Sequence, residues 1–338
     1  MNNLKNKRIQ LQKTVIVTAL CFSLFAVQLY SQNKDQKELP VWAIPNIEEG
    51  AEFYFSPDGK SLIGTAKFQD DTVHQEYTFN IYGTNIKRIN HKGEDACSFY
   101  FPDGKRIIFT STKDHPELPR GNYSDARNYP QGAELYIADV DGSNVNQLTK
   151  NTYYDAEVSV SPDGQWILFS RQIDGQLDLW KVRPDGTGET QITKTKDIQE
   201  GGAFFIDNHT IIYRAWNKKD EGGRGIPMQI FTINDDGTEQ KQITHEEGTN
   251  WSPYPAPDGE HFVFVKVVPP RNFEIFLGDI KTGELKQLTF NDAFDGFPAI
   301  SPDGKLLTFS SSRNAKPGER KLRPYLMDIS SLNLGKQK

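Results

Sequence analysis

The sequence predicts an all-β fold, a six-bladed β-propeller built from four-stranded antiparallel blades. Three observations predict it. A turn motif, S-P-D-G, recurs along the chain; its copies repeat with a period of about 44 residues; and short apolar stretches of strand length flank each copy. One such sheet cannot cover both of its faces and its edges by itself. Six sheets stacked in a closed ring bury the faces and remove the exposed edges.

The turn motif occurs five times in clear form and once in degenerate form. The copies lie at Pro57, Pro102, Pro162, Pro257 and Pro302, and in the stretch "FIDNHTIIYRA" that begins at Phe205. Extra residues stand in the second and fourth copies. The repeated unit is therefore one supersecondary element with two insertions.

The third copy gives the strands of one blade most clearly. They are "AEVSV" from Ala156, "QWILFSR" from Gln165, "LDLWKV" from Leu177 and "ETQITK" from Glu189. All four are short and rich in β-branched and aromatic residues, and Gly, Pro, Asp and Asn separate them. The last copy has little chain left for a fourth strand. We expect the stretch "LPVWAI" at residues 39–44 to supply it and to latch the ring.

The first 31 residues differ in composition from the rest. A basic start is followed by the apolar run "TVIVTALCFSLFAV" and by Ser31, a small residue suited to cleavage. These are the parts of a secretory signal peptide. The alternatives are an uncleaved membrane anchor and a lipoprotein signal through Cys21. With cleavage, we expect export to the periplasm or the cell exterior and no stable membrane insertion.

The predicted domain organisation follows from these boundaries. Residues 1–31 are the signal peptide, 32–44 an N-terminal segment with the latch strand, 45–333 the propeller and 334–338 a tail. Removing the signal peptide takes away four basic residues and no acid, so the net charge falls from -6 to about -10. An acidic chain is unsuited to nucleic-acid binding, which depends on phosphate neutralisation. Cys97 then remains as the sole cysteine and is expected to be a packed thiol.

The blades resemble those of the TolB-like β-propeller repeat family. The resemblance rests on the S-P-D-G-K turns, on strand ends such as "VNQLTK" and "LKQLTF", and on "FDGFPAISPDGKLLTFSSSRN" in the last blade. It covers about residues 45 to 330. It implies the propeller fold and, at the level of the fold alone, a relation to oligogalacturonide lyases, which act on uronic-acid sugars.

The turn motif itself is interpreted as structural. Proline presets φ, aspartate caps the turn through its carboxylate, and glycine takes the positive φ. The same role is expected for the five turn aspartates, Asp58, Asp103, Asp163, Asp258 and Asp303. The motif marks one face of the ring, and the loops from second to third strand and from blade to blade occupy the other face. The functional residues are therefore expected on that second face.

The second face carries the long loops, at residues 112–132, 215–227 and 310–323. Loops longer than a regular scaffold requires are usually functional. Arginines bind carboxylates in bidentate fashion, and aromatic rings stack on sugars, so the face predicts a site for an anionic oligosaccharide. The predicted substrate-binding residues are Arg120, Arg127, Arg171, Arg214, Arg313, Tyr154, Trp216 and Trp251. The alternative is that the arginines pair with the nearby acids Asp155, Glu157, Glu200 and Asp295.

Histidines on the same face supply the remaining candidates. His74, His91, His115 and His245 are candidate ligands for a divalent metal ion, although no H-x-x-x-H spacing joins any two of them. His91, His245 and Tyr123 are the predicted catalytic residues. They suit abstraction of the C5 proton of a uronate and elimination at C4, by a lyase or a dehydratase in polysaccharide degradation. The alternative function is a noncatalytic propeller that binds a protein or glycan partner.

Overall fold

The computed structural model describes residues 37–222, 225–316, 318–319 and 321–336, and these form a six-bladed propeller. The blades are six separate four-stranded sheets with antiparallel pairing throughout, which confirms the predicted fold class. The predicted signal peptide at residues 1–31 lies outside the described residues. Among the described residues, no helix has the length and apolarity needed to cross a membrane.

The strands follow the repeat. Blade I contains β2 (Gly50–Phe55), β3 (Ser61–Ala66), β4 (Gln75–Asn80) and β5 (Lys87–Arg88). Blade II contains β6 (Asp95–Tyr100), β7 (Arg106–Ser111), β8 (Glu134–Asp139) and β9 (Asn146–Gln147). Blade III contains β10 (Tyr154–Val160), β11 (Ile167–Ile173), β12 (Gln176–Val182) and β13 (Thr190–Gln191).

The second half of the ring is built in the same way. Blade IV contains β14 (Ile198–Phe205), β15 (Thr210–Asn217), β16 (Gln229–Asn234) and β17 (Lys241–Gln242). Blade V contains β18 (Asn250–Pro255), β19 (His261–Val268), β20 (Asn272–Asp279) and β21 (Leu285–Gln287). Blade VI contains β22 (Asp295–Ile300), β23 (Leu306–Ser311), β24 (Arg323–Asp328) and β1 (Val41–Ala43). Short 3-10 turns occur at Ala126–Asn128, Lys218–Asp220 and Ser330–Leu332.

Strand β1, which lies in the predicted latch segment, closes the ring. Strand β1 pairs antiparallel with β24, and Trp42 lies opposite Leu326. The pairing extends one residue beyond each end of β1, since Ile44 N donates to Pro324 O at 3.0 Å and Asp328 N donates to Pro40 O at 2.9 Å. The last blade therefore combines strands from both ends of the described chain.

The S-P-D-G turns are structural, as predicted. In blade III, Ser161 Oγ donates to Asp163 Oδ1 at 2.7 Å, and the same carboxylate oxygen accepts from Gln165 N at 3.0 Å. Blades I and VI repeat this arrangement around Asp58 and Asp303. Each aspartate thus satisfies polar groups of its own turn, and a functional role for it is unnecessary.

Candidate functional site

An axial cavity of about 800 Å³ opens on the face that carries the long loops. All six blades contribute to its wall, and the loops contribute Tyr123, Ile226 and Leu322 near the opening. Ligand sites in proteins are usually concave and largely apolar with a few placed polar groups, and this cavity has that composition. We call it the axial cavity below.

The floor of the axial cavity is an aromatic cluster on the propeller axis. Tyr54 lies 5.5 Å from Phe99, 5.5 Å from Phe204 and 5.9 Å from Tyr254, measured between ring centroids. Tyr54 and Phe204 are buried and line the cavity from below. The inner end of the axial cavity is therefore aromatic.

A ring of six equivalent positions surrounds the axis just above this floor. In each blade the pairing of first and second strands shifts register at a β-bulge, and the bulged residue has φ between 48° and 58°. A bulge turns one side chain out of the alternation of the strand. All six bulged residues line the axial cavity: Glu52, Cys97, Glu157, Gly202, Ser252 and Phe297. We call these six positions the bulge ring.

A buried ion pair lies within the bulge ring. Arg214 Nη2 donates to Glu157 Oε1 at 2.5 Å, and Glu157 Oε2 accepts from Ser170 Oγ at 2.8 Å and from Gly202 N at 2.6 Å. Burial disfavours the charged guanidinium, but the carboxylate of Glu157 keeps the pKa of Arg214 above its usual range. Arg214 therefore stays charged at every physiological pH.

The glycine of the bulge ring makes room for this arginine. A Cβ atom at Gly202 would lie 1.8 Å from Arg214 Nη1, so the guanidinium occupies the space of the missing side chain. The Nε–H group of Arg214 is buried and has no hydrogen-bond partner in the described part of the chain. A buried donor without a partner costs free energy unless a ligand or water accepts from it.

Glu52 faces the same space. Burial raises the pKa of Glu52 to about 7, a hydrogen bond from the Cys97 thiol lowers it, and the negative charge of Glu157 raises it further. Burial also raises the pKa of the Cys97 thiol, which agrees with the expectation that Cys97 is a packed thiol. A carboxyl group that titrates near neutral pH in a cavity is suited to act as a general acid or base.

Tyrosines and a tryptophan of blades II to IV form one wall of the cavity. The rings of Tyr129 and Tyr154 are stacked with centroids 4.1 Å apart, and Tyr123 lies 6.1 Å from Tyr154. Trp216 lines the same wall, and its ring lies 5.5 Å from the Arg214 guanidinium carbon. Burial raises the pKa of all three tyrosines, so their hydroxyls keep their protons at neutral pH.

Six of the sequence-predicted residues come together in the axial cavity. Its lining includes Tyr123, Tyr154, Arg214, Trp216, Trp251 and, among the histidines, His74. Its lining does not include Arg120, Arg127, Arg171, Arg313, His91, His115 or His245. Of the latter group, Arg120, Arg127, His91 and His245 are exposed.

Three of the predicted arginines pair with nearby acids, which is the alternative predicted from the sequence. Arg171 is buried and donates to Asp155 through Nε at 2.7 Å and through Nη2 at 2.8 Å, with further contacts to Glu189. Arg313 Nη2 donates to Asp295 Oδ2 at 2.6 Å. Arg214 pairs with Glu157, as described above. Only the last of these pairs lies in the cavity, because Arg171 and Arg313 turn back to the first residues of their own blades.

The histidines are dispersed. His74 Nε2 lies 3.6 Å from Glu49 Oε1, and its Nδ1 lies 4.0 Å from Glu94 Oε1, so its two nitrogens face different carboxylates. His115 Nδ1 lies 3.3 Å from Glu117 Oε1. Among the described residues, no group of three or more His, Cys, Asp and Glu side chains is placed to hold a metal ion. The four histidines therefore do not form a common ligand set.

A second cavity of about 860 Å³ lies on the opposite face, between blades I and II. Asp58 and Asp103 line it, and both serve their own turns. Its polar groups are mostly exposed turn residues, whereas the axial cavity contains buried charges. The axial cavity is therefore the better candidate for a functional site.

Glu52 and Glu157 line the site, but the sequence did not predict either of them as a site residue. Both stand five residues before the turn proline, at the bulged position of the first strand. Strict alternation would assign such residues to a blade face, so the strand pattern conceals them. In an alignment of the six repeats, the bulged position contains Glu, Cys, Glu, Gly, Ser and Phe. This mixture is unusual for the interior of a strand and is the signal by which the position could have been found.

Comparisons of sequence give distant relatives. No family model matches the chain. An uncharacterized protein of Agrobacterium fabrum is 25% identical, over 70% of this chain and 90% of the relative. A dipeptidyl-peptidase 5 of Porphyromonas endodontalis is 25% identical over 62% of this chain, and a TolB homolog of Chlorobium chlorochromatii is 29% identical over 39% of it. The chain spans 36% of that peptidase and 28% of that TolB homolog.

Comparisons of structure agree on the fold. TolB from Acinetobacter baumannii matches with a TM-score of 0.56 and 17% identity, over 86% of this chain and 65% of that chain. Oligogalacturonate lyase from Vibrio parahaemolyticus matches with a TM-score of 0.56 and 12% identity, over 88% and 96%. An oligogalacturonate lyase in complex with manganese matches with a TM-score of 0.55 and 13% identity, over 86% and 96%. The chain has a TolB-like propeller fold that it shares, at the level of the fold, with oligogalacturonate lyases.

Proposed function

We propose that this protein binds a uronate-containing oligosaccharide in the axial cavity and breaks the C4–oxygen bond of a uronate residue by β-elimination. The observation that carries the proposal is the convergence of Arg214, Glu157 and Glu52 in an aromatic cavity. The reaction is that of a carbon–oxygen lyase or dehydratase. The predicted signal peptide at residues 1–31 would bring the protein to the periplasm or the cell exterior, where polysaccharide fragments are degraded.

Recognition of the substrate carboxylate is assigned to Arg214. A guanidinium has five N–H donors, and Glu157 accepts from Nη2 only. The buried Nε–H is free of partners in the described residues and can donate to a carboxylate oxygen of the substrate. Because Arg214 sits where water is scarce, this contact is stronger than it would be on the surface.

Removal of the C5 proton is assigned to Glu52. Arg214 neutralises the adjacent carboxylate and the enolate that develops from it, which makes the C5 proton more acidic. Since its pKa is about 7, Glu52 is largely ionised in slightly alkaline solution and can accept the proton. We assign the base to Glu52 rather than to His91 or His245, because neither histidine lines the cavity.

The remaining steps balance without an oxidant or a reductant. The electron pair of the C5–H bond forms a C4=C5 double bond, and the C4–oxygen bond breaks. The departing oxygen takes a proton from a tyrosine of the wall, for which we propose Tyr123, whose raised pKa keeps its hydroxyl protonated. The proton held by Glu52 then returns to the tyrosinate through water.

A metal ion has no step in this scheme. One of the structurally similar lyases is a manganese complex. In the part of this chain that the structure describes, the donors do not suit such an ion, since the two nitrogens of His74 face separate glutamates and no third donor joins either contact. We therefore derive no chemistry through a divalent cation.

The second candidate function is a noncatalytic propeller that binds a protein or glycan partner. The specific observation in its favour is that Arg214 is paired with Glu157, which neutralises its charge within the protein. A pair of this kind can serve as a fixed element of a binding surface. A protein partner would then contact the long loops around the opening.

The experiment is incubation of the full chain with a panel of uronate oligosaccharides, with and without added divalent metal. The product of elimination has a C4=C5 double bond and absorbs in the ultraviolet. We expect absorbance to rise with at least one substrate. If no substrate gives absorbance but one of them binds by calorimetry, the lyase function is excluded and the binding function is supported. If no substrate gives absorbance and none binds, the cavity neither cleaves nor binds uronates, and both proposals for uronates are wrong.

A further inference from the structure

We propose that the axial cavity contains a second, apolar subsite, and that its ligand is a uronate carrying an aryl group in glycosidic linkage. This inference rests on the proposed function, because it takes Arg214 as the partner of the uronate carboxylate. The aryl subsite is formed by Trp251, Phe273, Phe294 and Phe297, all of which line the cavity on the side of blades V and VI.

The four rings pack against one another along one side of the cavity. The Trp251 ring lies 4.7 Å from Phe297 at an interplanar angle of 72° and 6.5 Å from Phe273 at 82°. Phe294 lies 5.0 Å from Phe273 at 43°. Rings that meet edge to face present both edges and faces to the cavity that they line. An aromatic ring bound in the cavity can pack against them with the same geometry.

A bare sugar suits this cluster poorly. Stacking of a sugar needs one flat, open aromatic face, whereas these rings are tilted against one another by 43° to 82°. Phenylalanine side chains offer no hydrogen-bond partner, so sugar hydroxyls placed among three of them would lose their bonds to water without replacement. An aryl group has no such groups to desolvate.

The two subsites adjoin each other around the axis. Phe297 occupies the bulge ring in blade VI, and Glu52 occupies it in blade I, the next blade. The charged side of the cavity, with Glu157 and Arg214, lies in blades III and IV. A ligand that fills both subsites therefore carries an anionic group and an apolar ring on different sides of one small molecule.

The test is calorimetric titration of the full chain with three probes: methyl glucuronide, phenyl glucuronide and phenyl glucoside. Burial of a phenyl ring predicts that phenyl glucuronide binds about ten-fold or more tightly than methyl glucuronide. Phenyl glucoside, which lacks the carboxylate, should bind more weakly than phenyl glucuronide. Equal binding of the two glucuronides would overturn the aryl subsite and leave the proposed uronate site intact.

Variants separate the two claims further. Phe297→Ala and Phe294→Ala should each remove most of the preference for the phenyl probe, measured as the ratio of its affinity to that of methyl glucuronide in the same variant. Tyr82→Ala is the control, since Tyr82 is exposed and does not line the cavity. A preference that survives in both folded phenylalanine variants would contradict the aryl subsite. Failure of the parent to bind either glucuronide would instead contradict the proposed function and the inference that rests on it.

Discussion

At the scale of single residues, the site depends on Gly202. This residue combines a φ of +58° with a position where a Cβ atom would lie 1.8 Å from Arg214 Nη1. The left-handed backbone is tolerated by other residue types, since five of the six bulge-ring positions are not glycine. The close approach of the arginine, rather than the backbone, therefore accounts for glycine at position 202.

A pair of variants tests this explanation. Gly202→Ala should destabilise the protein by about 1–3 kcal/mol more than Gly259→Ala. Both positions have positive φ, but a Cβ atom at Gly259 would meet nothing within 4 Å. The control therefore carries the same kind of backbone strain without the clash. Urea-induced unfolding measures both changes, and equal destabilisation by the two substitutions would show that Arg214 does not depend on the space at Gly202.

The sequence predicts some of these residues and hides others, for physical reasons. Arg214, Trp216 and Tyr123 are recognisable because long loops and strand ends are where a propeller carries functional side chains. Glu52 and Glu157 are not, because a bulge changes the direction of a side chain without changing the composition of its strand. An arginine can face a ligand, or it can pair with an acid of its own blade, as Arg171 pairs with Asp155. The side-chain geometry decides between the two, and a local sequence pattern does not specify that geometry.

At the scale of secondary-structure elements, the latch strand β1 is the feature that closes the ring. It is only three residues long, and its central residue, Trp42, lies opposite Leu326. Hydrogen bonds two residues away on either side, at Pro40 and Ile44, place Trp42 in a hydrogen-bonded pair of the antiparallel ladder. Trp42 is 42% exposed, so we expect its backbone pairing to supply much of its contribution to stability.

Substitution at Trp42 separates the backbone from the side chain. Trp42→Pro removes an amide donor from the ladder and leaves the carbonyl of Leu326 without its partner, which should cost about 1–3 kcal/mol beyond the effect of Trp42→Ala. Thermal and urea unfolding of the two variants give the difference. If proline and alanine were equivalent at this position, the latch would not contribute to stability through its backbone pairing.

The strands themselves are well predicted by the sequence, and the loops are not. The four strands expected in the third copy coincide with β10, β11, β12 and β13 to within a few residues. Alternation and turn residues are local properties, so a repeated pattern specifies them. The course of the loop at residues 112–132 depends on contacts with several blades, and its repeat gives no template for it.

At the scale of the whole molecule, buried carboxyl groups should set the dependence of stability on pH. Burial raises the pKa of Glu52, Asp95 and Glu200 to about 7 and that of Asp178 to about 6. The folded state therefore binds more protons than the unfolded state between about pH 4.5 and pH 7. The stability that these groups contribute is present below this range and is lost as the pH rises through it.

We expect the free energy of unfolding to be greatest near pH 4 to 5 and to fall towards pH 8. Below that optimum, turn aspartates such as Asp58 and Asp163, whose hydrogen bonds lower their pKa, lose their contribution on protonation. Thermal unfolding across the pH range tests the expectation, and Glu200→Gln should make the fall between pH 5 and pH 8 shallower. A melting temperature that rises over this interval would contradict it.

The period of the sequence predicts the ring, its closure and the face with the long loops. The ring and its closure follow from the repeat itself, and the face with the long loops follows from the insertions that interrupt the repeat. The axial cavity is different, since its wall takes residues from all six blades, which are far apart in sequence. Only the closed structure brings Glu52 of blade I together with Glu157 of blade III and Arg214 of blade IV.

The central claim is that the axial cavity carries out elimination with Glu52 as the base. The most direct measurement compares the rate of formation of unsaturated product by the parent chain, by Glu52→Gln and by His209→Gln, with one uronate oligosaccharide. His209 is the control, because it is exposed on the opposite face. We predict that Glu52→Gln is slower by about 100-fold or more, as loss of a general base requires, and that His209→Gln equals the parent. A folded Glu52→Gln variant with the full rate of the parent would contradict the account.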